Sequence, residues 1–272
     1  MTGKMATGNM ATGNMATGEA ATDRRVVAVT GADALPFLQG LVSNDVLPLG
    51  KGPGIVWAAL LTPQGKYLAD FLVVRAGDAL LLDLPEALAD ATLRRLGMYR
   101  LRADVQLVPA ALHVHRGLGD APADALADPR HPSLGWRAYR AEPGLAAVTD
   151  WDAIRVAHVI PETARELVVD DSYILESGFE RLHGVDFRKG CYVGQEVTAR
   201  MKHKTELRKR LVRVQVTGSA GFGDEITAGG KPAGTLFTRS GDRAIAYLRL
   251  DRATGPMQAG DAVVTLDADQ PG

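Results

Sequence analysis

Two apolar runs, 55–61 and 67–75, lie on either side of Thr62-Pro63-Gln64-Gly65-Lys66. Each has strand length, and the residues between them supply a proline and a glycine, so a β-hairpin is predicted. Around it the periodicities alternate. Residues 24–30 are β-rich, and Leu35, Leu38, Leu41 and Val42 recur at helical spacing, with Pro36 tolerable only in a first turn. Residues 79–84 read as a strand, a helix follows from Pro85 to about Leu96, and 101–108 returns to strand alternation. Helices interleaved with a hairpin predict an α+β fold rather than a purely parallel sheet.

A second α+β unit is expected from near Leu112, with a loop over 128–135 and a helix capped by Asp150 that carries Trp151, Ile154 and His158 until Pro161. After Lys204 the pattern changes to short strands. Val212, Val214 and Val216 share one face, and further strands are read at 232–238, 244–250 and 262–266. Residues 206–272 are therefore predicted to form a small β-barrel behind a body of 24–205. The first 23 residues hold three near-copies of a Met-Ala-Thr-Gly unit and are expected to be a flexible tail.

Composition narrows the function classes. Thirty-one Lys and Arg against thirty-two Asp and Glu give a net charge of -1, which provides no global basic footprint for nucleic acid or a membrane surface. No apolar run approaches eighteen residues, so no membrane span is expected. The single cysteine forms no internal disulfide, and with no secretory signal in the tail a cytoplasmic location is expected.

That cysteine sits in Lys189-Gly190-Cys191-Tyr192-Val193-Gly194-Gln195-Glu196-Val197-Thr198-Ala199-Arg200. Glycines on both sides permit a tight turn, and helix-forming residues resume at Gln195. A cysteine just ahead of a helix, with Lys189 and Arg200 as neighbouring cations, favours the thiolate. The residues alone leave two readings open, a reactive thiol or a small buried hydrophobe.

The string 189–200 resembles the signature of the YgfZ family. Phe37-Leu38-Gln39-Gly40, Asn44-Asp45, Gln64-Gly65-Lys66, Asp128-Pro129-Arg130 and Leu134-Gly135 resemble that family in the expected order. Leu175-Glu176-Ser177, His183-Gly184-Val185 and Arg208-Lys209-Arg210-Leu211 are most similar to its mitochondrial branch of iron-sulfur assembly factors. The resemblance implies the fold of the glycine-cleavage T-protein, with three parts around a central cavity. It also implies tetrahydrofolate as cofactor and support of four-iron, four-sulfur enzymes, tRNA-modifying ones included. Cys191 is then the reactive residue, and Lys189, Gly190, Tyr192, Gly194, Gln195, Glu196, Arg200 and Glu176 are the expected folate contacts. Partners are expected among assembly proteins or client enzymes, with Cys191 able to contribute one ligand to a shared cluster. A cluster takes four thiolates as a rule, so one cysteine cannot house it alone.

An accessory protein is expected rather than an enzyme, with a folate-dependent aminomethyltransferase as the alternative. Two departures weigh against that alternative. Ala69-Asp70 retains one of two adjacent T-protein acids, and Ile154-Arg155-Val156-Ala157-His158-Val159 has alanine where a pterin-binding glutamate is expected. Glu176 and Glu196 are the candidates to replace it. Arg200, Lys202, Lys204, Arg208, Lys209, Arg210 and Arg213 form a basic run suited to phosphates or a polyglutamate tail. It lacks interleaved aromatics, so nucleic acid is not the expected partner. His113 and His115 share a strand face without a third ligand at a recognisable spacing, and no metal site is expected. Trp57, Trp136 and Trp151 are read as core anchors.

Overall fold

A computed structural model describes residues 17–204 and 206–271. Its first strand, β1 (Glu19–Ala20), lies inside the expected tail. Glu19 accepts hydrogen bonds from Thr149 N, Thr149 Oγ1 and Trp151 Nε1, and Ala21 is buried. Order therefore begins earlier than residue 24, because these contacts offset the entropy of fixing the segment. Residues 1–16 lie outside the described residues.

The strands β2 (Arg24–Thr30), β3 (Gly54–Leu61), β4 (Tyr67–Ala76), β5 (Ala79–Pro85) and β6 (Gln106–Pro109) form an antiparallel sheet in the order β3-β4-β5-β2-β6. The expected hairpin is β3-β4, closed by Thr62 N donating to Lys66 O at 2.8 Å and Gly65 N donating to Thr62 O at 2.9 Å. Its strands are apolar without alternation because both faces of the sheet are covered. Ala58, Leu60, Ala69, Phe71 and Val73 pack toward Leu38 of α1 (Ala34–Gln39) and Ala89 and Leu96 of α2 (Glu86–Arg100). Trp57, Ala59, Leu61, Tyr67 and Leu72 face the second unit, where they meet Trp151, Ile160, Phe179 and Tyr192. α2 runs past its expected end to Leu101 at φ 43°, so the following strand starts only at Gln106.

The second unit is a four-stranded sheet in the order β1-β7-β9-β8, with β7 (His113–Gly117), β8 (Leu126–Ala127) and β9 (Trp136–Arg140). α3 (Trp151–His158) has the predicted cap, Asp150 Oδ1 accepting from Ala153 N at 2.9 Å, and ends at Val159 in the left-handed region, two residues before Pro161. Turns connect it to α4 (Gln195–Lys204).

The strands β10 (Lys209–Thr217), β11 (Glu225–Ala228), β12 (Lys231–Ser240), β13 (Arg243–Arg249), β14 (Met257–Ala259) and β15 (Ala262–Leu266) close into a barrel ordered β10-β13-β12-β11-β14-β15. Val212, Val214 and Val216 fill it, as their alternation predicts. The barrel is fixed to α3 by Val156 and Val159 against Leu211 and Ile245, and to the segment after α3 by Thr238 Oγ1 donating to Glu166 Oε1 at 2.5 Å, a carboxylate that Arg155 of α3 also engages at 2.7 Å.

Candidate functional site

Cys191 is exposed, on the loop that leads into α4. Two glycines shape this loop. Gly190 has φ +96° and Gly194 φ +85°, and a Cβ on Gly194 would lie 2.5 Å from Thr62 O and 3.2 Å from Gly65 Cα. The signature loop therefore sits backbone to backbone on the hairpin turn, where only glycine fits. Tyr192 is buried in the core between the two units, and its N–H donates to Gln195 Oε1 at 3.2 Å. A buried tyrosine one residue later thus anchors an exposed cysteine.

Lys189 is the second anchor. Its Nζ donates to Gln39 O at 2.5 Å and Val42 O at 2.6 Å, while Gln39 Nε2 donates back to Lys189 O at 3.2 Å. Burial brings its pKa down to about 8, with Asp45 and Asp186 opposing that shift. The cation expected beside Cys191 is thus occupied in tying the loop to the end of α1. Gln39 was not singled out as a functional residue, although it lies inside the Phe-Leu-Gln-Gly string.

The remaining expected contacts are spread out. Glu196 and Arg200 are exposed on α4. Glu176 lies at the junction with the barrel, where its carboxylate accepts from Tyr247 Oη and its carbonyl accepts from Leu211 N at 2.8 Å. Glu176 borders recesses of about 770 Å³ and 550 Å³; Lys189, Gly190, Tyr192, Gly194, Gln195, Glu196 and Arg200 border neither. A third recess, of about 680 Å³, is walled by Trp57, His183, Phe187 and Lys202.

The residues that mark a T-protein active site are internally satisfied. Asp70 accepts from Trp57 Nε1 at 2.8 Å, Tyr67 Oη at 2.7 Å and Thr163 Oγ1 at 2.6 Å, and Ala69 beside it is buried. At the second departure, Ala157 O accepts from Arg213 Nη1. Arg213, counted in the basic run, is in fact buried. It pairs with Asp267 at 2.7 Å, so its charge serves the junction rather than the surface. Lys202 pairs with Glu180. Arg200, Lys204, Arg208 and Arg210 are exposed and have no ion-pair partner among the described residues.

His115 is buried, with Nε2 at 2.8 Å from Glu142 O, and His113 is exposed. No group of three metal-ligating side chains occurs among the described residues. Trp57, Trp136 and Trp151 are buried, as their reading as anchors predicts. No helix among the described residues is long and apolar enough to cross a membrane.

The architecture defines a class of protein. The crystal structure of glycine cleavage system aminomethyltransferase T from Bartonella henselae matches 92% of this chain and 84% of its own with a TM-score of 0.72 at 13% identity, a likeness of fold. Residues 208–270 match the family described as CAF17, C-terminal beta-barrel domain. The chain is thus a T-protein-fold protein with an appended closed barrel.

Its relatives specify it further. The mitochondrial iron-sulfur cluster assembly factor IBA57 of Mus musculus is 31% identical over 86% of this chain and 78% of its own, and that of Homo sapiens 30% over the same shares. A homologue from Mycosarcoma maydis is 35% identical over 70% of this chain and 54% of its own length. The chain belongs to the IBA57 family of iron-sulfur cluster assembly factors. The cytoplasmic location expected from the single cysteine is corrected by these comparisons, because the relatives are named as mitochondrial proteins. A reducing environment is common to both compartments, so cysteine usage does not discriminate between them.

Proposed function

We propose that this protein supports assembly or repair of four-iron, four-sulfur enzymes by presenting Cys191 to a partner that supplies the remaining sulfur ligands. The observation that carries this reading is the exposure of Cys191 on a loop held by the buried Tyr192, the clamped Lys189 and the Gly194-Gly65 contact. A thiol fixed at the surface is accessible to a cluster carried on another chain, and a soft sulfur ligand suits iron. The cluster is cargo here, held only while both proteins contribute.

Tetrahydrofolate is proposed for the recess that Glu176 shares with Arg181 and Arg210. One Glu176 oxygen is engaged by Tyr247, and the other has no protein partner among the described residues and can accept from a pterin N–H. The two arginines suit the glutamate end of a folate. Calorimetric titration with tetrahydrofolate, repeated on Glu176→Ala, tests this part; equal affinity in both proteins would remove Glu176 from the site.

Cys191→Ser tests the central claim. Serine keeps the size but supplies neither a sulfur ligand nor a thiol nucleophile. An exposed position makes the change nearly neutral for folding. Unchanged protein level and Tm, with loss of aconitase-type activity in a deletion strain carrying the variant, is the expected result. Full restoration of that activity by the variant would refute the proposal.

A further inference from the structure

Gln39, in the string Phe37-Leu38-Gln39-Gly40, borders none of the recesses described above and carries no titratable or nucleophilic group. Its amide nevertheless bonds two backbone groups of opposite polarity. Gln39 Oε1 accepts from Val46 N at 3.0 Å, and Gln39 Nε2 donates to Lys189 O at 3.2 Å. The first bond fixes the amide against the chain that follows α1. The second reaches 150 residues along the sequence to the cysteine loop.

That second bond is the backbone support of the loop. Among the described residues, the backbone of Lys189, Gly190 and Cys191 makes no other hydrogen bond. The Lys189 ammonium is tied to Gln39 O and Val42 O, but through a flexible four-carbon stem that restrains the main chain weakly. On the approach to the loop, the chain just after Gln39 holds the segment 183–186. Ser43 Oγ donates to Gly184 O at 2.7 Å, Ser43 O accepts from Asp186 N at 3.0 Å, and Asn44 Nδ2 donates to His183 O at 2.7 Å. Beyond the loop, Tyr192 is buried and Gly194 lies against the hairpin turn. Gln39 therefore supplies the last fixed point of the backbone before Cys191.

We propose that Gln39 is a positioning residue for Cys191: its amide holds the Lys189 carbonyl and, with it, the conformation in which the thiol is presented. Glutamine suits this place because one amide carries both a donor and an acceptor. Glutamate lacks the donor, and asparagine is a methylene too short to span Val46 N and Lys189 O together. The inference rests on the reading of Cys191 as the residue presented to a partner. A loop that is seated for a fraction of the time weakens such a partner's apparent affinity by that fraction.

Nitrogen-15 relaxation of the full chain measures the seat directly. Backbone order parameters at Gly190 and Cys191 are expected at about 0.85 in the wild type and below about 0.6 in Gln39→Leu, which keeps the bulk and removes donor and acceptor. Those of the barrel strands are expected to be equal in the two proteins. In a deletion strain, Gln39→Leu at wild-type protein level is expected to lower aconitase-type activity about fivefold, the effect of one lost hydrogen bond on the seated population. Wild-type order at Gly190 and Cys191 in the variant, a loss of order spread equally over the barrel, or full activity despite a mobile loop overturns the proposal. Should Gln39→Leu fail to fold, Gln39→Asn lets water meet the freed groups and is expected to loosen the same two residues; unchanged order there overturns the proposal. The order parameters do not depend on what Cys191 binds, so their outcome is separate from that of the proposed function, which Cys191→Ser decides.

Discussion

Gly194 and Gly65 meet backbone to backbone, both with positive φ, and this contact seats the cysteine loop on the β3-β4 turn. Neither glycine admits a side chain there. A Cβ on Gly194 would meet Thr62 O at 2.5 Å, and a Cβ on Gly65 would meet Val197 Cβ at 2.9 Å.

Gly194→Ala is accordingly expected to destabilise the protein by about 3 kcal/mol, from left-handed backbone strain together with overpacking. Urea unfolding measures it. A loss within experimental error would show that the loop can lift off the turn without cost.

Exposed and buried members of the basic run are expected to separate sharply. Replacing Arg208, Lys209 and Arg210 together by glutamine leaves Tm nearly unchanged, since exposed charges contribute little. Arg213→Ala is expected to cost about 2–3 kcal/mol, because it removes the nearer of the two arginines on the buried Asp267, leaving Arg243 at 3.4 Å, and takes a donor from the carbonyls of Ala157 and Asp269. Differential scanning calorimetry on both variants decides; similar losses would contradict the assignment.

Acid sensitivity is expected to come from the carboxylates of the arginine network. Asp83 and Asp128 are buried, yet Arg24, Arg130 and Arg137 hold them below the usual value of 3.8. A lowered folded-state pKa gives stability that is present above 3.8 and lost as pH falls below it, because the unfolded chain then binds protons that the folded chain resists. Urea midpoints between pH 5 and pH 2.5 should fall steeply for the wild type and less steeply for Asp128→Asn.

Lys189 acts with the opposite sign. Its folded pKa of about 8 lies below the ordinary 10.5, so between those values the unfolded chain holds the extra proton and stability rises with pH. Lys189→Met lacks this contribution. The wild-type urea midpoint should therefore gain on that of the variant between pH 8 and pH 10; a constant difference would place the ammonium in water.

The local elements were legible in the sequence because their causes are local. Pro63 and Gly65 between apolar runs dictate a turn, Asp150 ahead of Trp151 dictates a helix start, and the alternation of Val212, Val214 and Val216 dictates a strand with one buried face. Cys191 stood out because glycines on both sides and a following helix are contiguous with it. What each charge does was decided only by the tertiary structure. Lys189 is clamped by carbonyls roughly 150 residues earlier in the chain, Arg213 is buried beside α3, and Asp70 is satisfied by Thr163 from another unit. A charged side chain has the same local signature whether it ends in water or in a network, because the partners that make its burial tolerable come from distant segments. The sequence by itself thus determined the strands, the helix caps and the cysteine loop; the packing of three separate parts determined which charges became structure and which remained free to meet a partner.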